Sequence, residues 1–204
     1  MSLLNQQQLE TISNAITEVE KQTDAELVTV LARKSDDYLY IPTLWAALIA
    51  LLIPLVLRFT PFWLDGNELL WAQWSTFVVL ACVFRIPFIT LRLVPKSTKR
   101  WRAASLARRQ FLENNLHCTK DQTGILIFVS EAEHYVEIIA DRGISQKVDN
   151  LIWAKIIDDF TRQVKSGDTQ AGFIKCIQQC GDLLKQHAPY TTEKNELPNH
   201  LVII

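Results

Sequence analysis

The sequence has no excess of charge of either sign. Its 204 residues hold 21 basic and 22 acidic side chains, a balance that excludes the basic footprint of a nucleic-acid-binding domain. No glycine-rich loop ends in Lys-Ser or Lys-Thr, so the P-loop type of phosphate cradle is excluded as well. There are four cysteines, Cys82, Cys118, Cys176 and Cys180, and no Cys-x-x-Cys knuckle. His117-Cys118 with Cys176 and Cys180 has the residue types of a zinc site but not its spacing, so packed thiols in a reducing cytoplasm are expected. His134, His187 and His200 have no neighbouring Ser or Cys, and no catalytic triad is recognisable. The first ten residues lack a basic region followed by an apolar core, and no removable signal peptide is expected.

Charge is absent altogether from Tyr38 to Leu57 and again from Leu69 to Phe84, where the apolar character continues past Arg85 to Leu91. A mean hydropathy of +0.08 in a chain with 21% charged residues reflects this concentration. Each run is long enough for a bilayer core of about 30 Å, and the connector Arg58–Glu68, with Pro61 and Gly66, is too short for a domain. The pattern predicts a two-helix transmembrane hairpin, with a pair of buried core helices as the alternative. Pro42 and Pro54 are compatible with membrane helices. Trp45, Trp63, Trp71, Trp74 and Trp101 fall within or beside the runs, where interfacial belts place them, and Trp153 stands apart.

Arg92, Lys96, Lys99, Arg100, Arg102, Arg108 and Arg109 come after the second run with no acidic residue among them. The positive-inside rule then puts both termini in the cytoplasm, as expected of a multi-pass inner-membrane protein. Arg85 lies close enough to that side to snorkel to the headgroups. Lys96, Lys99, Arg100 and Arg102 are the expected contacts to anionic lipid, and membrane lipids rather than nucleic acid are the expected partner.

Before the hairpin, Leu9, Ile12, Ile16 and Val19 make one apolar stripe of a helix over Asn5 to Gln22, and Glu26-Leu-Val-Thr-Val-Leu-Ala32 reads as a strand. One helix and one strand cannot bury their apolar faces alone, so they need the segment beyond the hairpin. There the sequence predicts a helix from Ala103 to Leu116, a turn over Lys120–Gly124, and a central strand Ile125–Val129. An antiparallel strand Tyr135–Ala140 comes next, across the loop Glu131–His134. Two helices close the domain, one with Val148, Ile152, Ile156, Phe160 and Val164 inward, the other with Phe173, Ile177, Cys180 and Leu184 inward. Gly167 is the expected C-cap between them and Asp168 the next N-cap. From Pro189 the chain reads as a tail in which Leu201-Val-Ile-Ile204 is able to add a short strand.

The ordered set Thr23-Asp-Ala-Glu-Leu-Val-Thr-Val30, Asp121-Gln-Thr-Gly-Ile-Leu-Ile-Phe-Val-Ser130 and Val136-Glu-Ile-Ile-Ala-Asp-Arg-Gly-Ile144, together with the closing helix pair, resembles the TPM domain. The resemblance runs from Leu9 to about His187 with the hairpin treated as an insertion. It implies an α/β fold, a three-layer α/β/α sandwich, assembled from residues 1–37 and 93–188 around a hairpin at 38–92, with a tail at 189–204. By the same resemblance, some members act as phosphatases, some bind a divalent metal such as calcium through acidic residues near strand ends, and others are accessory factors of membrane complexes. LemA-like membrane proteins are an implied partner. Asp121 stands where the family has an Asp before Asn-Gly, but Thr123 replaces the Asn. Of the glycine-rich turn only Gly143 remains, in Ala140-Asp-Arg-Gly143. Asp149-Asn150 falls near the family's Thr-Asp.

Asp121, Asp141, Asp149, Asp158 and Asp159 are the candidate ligands for Ca²⁺ or Mg²⁺, since hard cations take oxygen donors, and Asp121 and Asp141 are the candidate catalytic residues of a phosphomonoesterase. Each has a plain role too: turn for Asp121, helix cap for Asp149, ion pairs for Asp141 with Arg142 and Asp158 with Arg162. The lack of a complete catalytic constellation, together with the expected membrane attachment, points to a non-catalytic accessory or scaffold protein at the inner membrane, with a metal-dependent phosphatase as the alternative.

Overall fold

The computed structural model describes residues 5–61, 64–191 and 201–204. The chain divides into two compact units, Met1–Ser35 with Trp101–Ile204, and Asp36–Arg100.

The first unit opens with α1 (Gln6–Glu20). Asn5 and Gln8 start it as a reciprocal capping box, each side chain accepting from the other's backbone N–H at 2.8–2.9 Å. β1 (Leu27–Ala32) is next, and then the helices α2 (Tyr40–Leu57), α3 (Gly66–Val83) and α4 (Pro87–Leu93) of the second unit. α5 (Lys96–Glu113) leads back to the first unit through a 3₁₀ turn at Leu116–Cys118. The remaining elements are β2 (Ile125–Ser130), β3 (Tyr135–Ala140), the short α6 (Arg142–Ser145), α7 (Asn150–Lys165), α8 (Thr169–His187) and β4 (Leu201–Ile203).

The sheet has the order β3-β2-β1-β4. β1 and β2 pair in parallel from Leu27↔Ile125 to Ala32↔Ser130, β2 and β3 form the antiparallel hairpin, and β4 lies parallel on the outer edge of β1. Every residue of β1 and β2 is buried, which is why Ile125–Val129 reads as a continuous apolar run without alternation. The pleat sends Leu27, Leu31, Ile125, Ile127 and Val129 to a core shared with α1, α7 and α8. Val28, Val30, Ala32, Leu126 and Phe128 meet Ala103, Ala107 and Phe111 of α5 on the other face. Phe160 and Phe173 pack edge to face at 4.9 Å between centroids and tie α7 to α8.

Asp149 and Asp168 cap α7 and α8 through Leu151 N–H at 2.9 Å and Ala171 N–H at 3.2 Å. Gly167 takes the left-handed φ of +91° that ends a helix. Two expectations fail here. Ile152 is exposed, and Trp153 lies in the core with Ile156 and Phe160, because turning the helix by one position buries the largest ring. Pro189 does not begin a loose tail: Ala188 accepts the Thr23 hydroxyl, Thr23 bridges to Pro189, and Thr191 N–H donates to Asp24 at 3.0 Å.

In the second unit α2 packs along α3, with Ala46 and Ala50 buried and small enough to let two helices approach closely. Tyr38, Ile41 and Val94 form a separate small core at the ends of the unit, with Leu91 against it. Most other large side chains face outward, among them Leu44, Leu52 and Leu55 of α2 and Trp71, Trp74 and Val78 of α3. Among the described residues α2 alone is long and apolar enough to cross a membrane. α3 and α4 meet that test only together, and they are bent by 103°. The expected continuous run from Leu69 through Leu91 is therefore broken. Ile86 is extended (φ −64°, ψ 124°) before Pro87, a conformation imposed by the proline ring on the residue before it, and Thr90 satisfies the freed Phe84 carbonyl at 2.6 Å. Trp45, Trp74 and Trp101 are exposed and Trp153 is buried, while the expectation for Trp63 lies outside the described residues, as does that for His200.

Candidate functional site

The first pair of candidate residues meets at one corner of the sheet, where β1 and β2 begin and β3 ends. The turn before β2 is built by Thr119, whose hydroxyl accepts from Thr123 N–H at 3.0 Å and whose carbonyl accepts from Gln122 N–H at 3.0 Å. Gln122 closes it in the left-handed region at φ 55°. The chain leaving β3 runs against this turn: Asp141 N–H donates to the Gly124 carbonyl at 2.8 Å and Gly143 N–H to the Gln122 carbonyl at 2.9 Å. Gly143 leaves no room for a side chain, since a Cβ there would lie 2.3 Å from the Asp121 carbonyl oxygen.

Asp121 is exposed at the rim of this corner. Asp141 caps α6, its Oδ1 accepting from Arg142 N–H at 2.7 Å, and its Oδ2 is buried with no hydrogen-bond partner. The other candidates are elsewhere. Asp149 is exposed at the start of α7, and Asp158 and Asp159 lie more than two turns further along that helix, both paired with Arg162. Asp159 also accepts from Gln179 of α8. Among the described residues no three His, Cys, Asp or Glu side chains are grouped to hold a metal ion. Two carboxylates fall short of the six or more oxygens that a caged Ca²⁺ or Mg²⁺ takes, so the residues at this corner do not fit a closed cation site.

The cysteines are divided by the sheet. Cys176 and Cys180 are buried on the face of α1, α7 and α8, where their mutual hydrogen bond and then burial push the Cys180 thiol well above its ordinary range. Cys118 is exposed, with its Sγ 3.2 Å from His117 Nε2, beside Leu116, which packs into the opposite core. Cys82 is exposed on α3. A single ion would have to reach through the sheet to join Cys118 to the buried pair.

Sequence reasoning missed two polar clusters. At the starting end of β1, the Glu20 carboxylate accepts from Leu27 N–H at 3.2 Å, and its Oε2 is buried without a hydrogen-bond partner. Burial raises its pKa to about 8, and the neighbouring Glu26 adds to the rise, against the lowering by the Leu27 N–H. At the opposite end, Glu133 accepts from Ser35 N–H at 3.1 Å and from the Ser130 hydroxyl, with Ser35 Oγ 2.9 Å from Ser130 Oγ. This cluster closes the carboxyl ends of the two parallel strands. Neither was legible, because Glu20 reaches Leu27 only where the chain folds back from α1 into β1, and Ser35 meets Ser130 and Glu133 only once β1 pairs with β2.

An α/β domain with a four-stranded mixed sheet flanked by helices is the class that this geometry defines. The family model described as TPM domain matches residues 89–183. α1 and β1 lie before the matched segment, separated from it by α2 and α3. The NMR structure of the BA42 protein from the psychrophilic bacterium Bizionia argentinensis is similar in fold, with a TM-score of 0.62 and 19% identity over 100% of this chain and 97% of that one. No curated protein matches the sequence.

Proposed function

We propose that this is a membrane-anchored TPM-domain protein, held at a bilayer by α2 and by α3–α4 as a broken second span, which serves as an accessory or scaffold for another membrane protein. The observation that carries the reading is α2. It has 18 residues with no charge, and 22% of it is buried within the structure. At 1.5 Å per residue it spans about 27 Å, close to the hydrocarbon thickness of a bilayer. A core helix of a soluble protein would bury most of that surface, and large exposed apolar patches mark interaction sites. Lys96, Lys99, Arg100 and Arg102 share the first turns of α5, suited to anionic headgroups. Both termini are then cytoplasmic. The engagement of Asp149, Asp158 and Asp159 in caps and ion pairs supports a scaffold role, with a LemA-like membrane protein as a candidate partner.

The test is alkaline carbonate washing of membranes from cells expressing the full chain. The protein is expected in the pellet, and a Leu48→Lys, Leu52→Lys double variant of the exposed face of α2 in the supernatant. An impermeant amine reagent is expected to reach Lys120 and Lys185 in inside-out vesicles and not in intact cells. Release of the unaltered chain by carbonate, or labelling from outside, would overturn the reading.

A second reading, a divalent-metal-dependent phosphomonoesterase with an open, largely water-ligated cation, is favoured by the unpaired buried oxygen of Asp141 at the sheet corner where Asp121 also lies. It requires phosphomonoester turnover that depends on added Mg²⁺ or Ca²⁺ and is lost in both Asp121→Asn and Asp141→Asn. The scaffold reading expects no turnover with either cation, and no metal-dependent rise in thermal midpoint.

A further inference from the structure

α4 turns away from α3 where the uncharged run ends. Residues 69–84 rise about 24 Å as a helix, most of a hydrocarbon core of about 30 Å. Arg85 follows, and the chain bends by 103°. The corner is fixed rather than hinged: Ile86 is extended before Pro87, and the hydroxyl of the buried Thr90 donates to the Phe84 carbonyl at 2.6 Å. On its inner side Leu91 of α4 and Val94 just beyond it join Tyr38 and Ile41 in the small core at the start of α2. The outer side is different. Ile86 and Phe88 are 50% and 68% exposed, and the Arg92 guanidinium, one turn on, lies over the Phe88 ring at 5.0 Å from its centroid. Arg85, Lys96 and Arg100 are exposed along the same stretch, and no acidic residue occurs between Glu68 and Glu113.

We propose that α4 is an interfacial helix, the second piece of the broken span lying along the membrane surface, with Ile86 and Phe88 in the acyl boundary and Arg85 and Arg92 holding the phosphate of an anionic phospholipid. The inference rests on the membrane-anchored reading and deepens it. With α3 across the bilayer, a turn of 103° leaves α4 close to the membrane plane. A ring beneath a cation suits that depth, since the ring enters the apolar boundary while the charge stays among headgroups. The stacked guanidinium keeps its N–H donors for phosphate oxygens. Charge complementarity selects the occupant: an anionic bilayer offers a negative layer and an apolar layer within one side chain's reach, whereas a phosphocholine headgroup carries its own cation.

The first test uses the full-length chain in nanodiscs, with the exposed Cys82 and Cys118 replaced by Ala. A nitroxide is placed on Arg85→Cys, Phe88→Cys or Arg92→Cys, and its depth is read from collision with oxygen and with a water-soluble nickel chelate. The three depths are expected to agree within about two residues of helix rise, roughly 3 Å. A spread of about 10 Å, the rise of seven residues, would mean that α4 crosses the bilayer and would overturn the proposal. The second test weighs, by native mass spectrometry, the lipid retained by the chain released from mixed phosphatidylglycerol and phosphatidylcholine bilayers. Phosphatidylglycerol is expected to be preferred. The preference is expected to fall by roughly 25-fold in the Arg85→Gln, Arg92→Gln variant, about fivefold for each cation removed, and to survive in Arg85→Lys, Arg92→Lys. Equal preference in the Gln variant and the unaltered chain, or loss in the Lys variant, would overturn the charged site. Release of the unaltered chain by carbonate would remove the anchor and this proposal with it, while a retained chain with labels spread in depth would overturn the proposal alone.

Discussion

Replacing Glu20 with Gln is expected to stabilise the protein at alkaline pH and to leave it nearly unchanged at acid pH. The carboxyl is driven by burial from its ordinary 4.5 to about 8 in the folded state, with Glu26 adding to the effect. The folded chain therefore holds a proton that the unfolded chain releases. The stability linked to that proton is fully present below pH 4.5 and is lost as pH rises through 8. Gln keeps an acceptor for Leu27 N–H and never ionises. At about 1.36 kcal/mol per pKa unit, and allowing for the group's partial exposure, the gain at pH 9 is on the order of 3 kcal/mol. That corresponds to a rise in midpoint of roughly 5–10 °C. Thermal unfolding of both chains from pH 4 to pH 9 reads this directly. Parallel curves across that range would show that Glu20 is not held protonated.

The second large effect is expected at Gly143. Alanine there would place a Cβ 2.3 Å from the Asp121 carbonyl oxygen and 2.7 Å from that of Gln122. Both atoms are backbone, so no side-chain rotation relieves the contact, and the 122–143 hydrogen bond that joins the two loops must open. Overpacking of this kind costs about 1–3 kcal/mol. The expected result is a lowered thermal midpoint, with backbone amide shifts changed over 119–124 and 141–145. Gly66→Ala is the control, because nothing lies within 4 Å of its added methyl. Equal midpoints for the two variants would show that the corner relaxes without cost.

Much of the domain was readable because its signals are local. The apolar stripe Ile12-Ile16-Val19, the unbroken run Ile125–Val129 and the caps Asp149, Gly167 and Asp168 each act within one turn or one strand, and each appears where the pattern puts it. The misreadings arose where two patterns compete over a few residues. Ile152 and Trp153 are adjacent on α7, and a small rotation of the helix decides which is buried. The run from Leu69 to Leu91 is apolar enough to continue, but Pro87 restricts Ile86 and breaks it. The candidate carboxylates were sorted by a different rule. Asp121 and Asp141 share a corner because β2 and β3 pair as a hairpin. Asp149 and Asp158 stay apart because nine residues of one helix separate them, about 13 Å at 1.5 Å per residue.

The sequence by itself determined the elements, the uncharged stretch that became α2, and the need for residues on either side of that stretch to share a sheet, since neither side has enough apolar surface to fold alone. Tertiary structure alone decided that β1 pairs with β2 in parallel, that Glu20 is buried at the start of β1, that Glu133 closes the two strand ends, and that Leu201–Ile203 forms the edge. These depend on contacts between residues up to about 170 positions apart, as in Thr29↔Leu201. Periodicity carries information over a few turns of chain, while strand order and register are settled by which pairing buries both faces of the sheet at once.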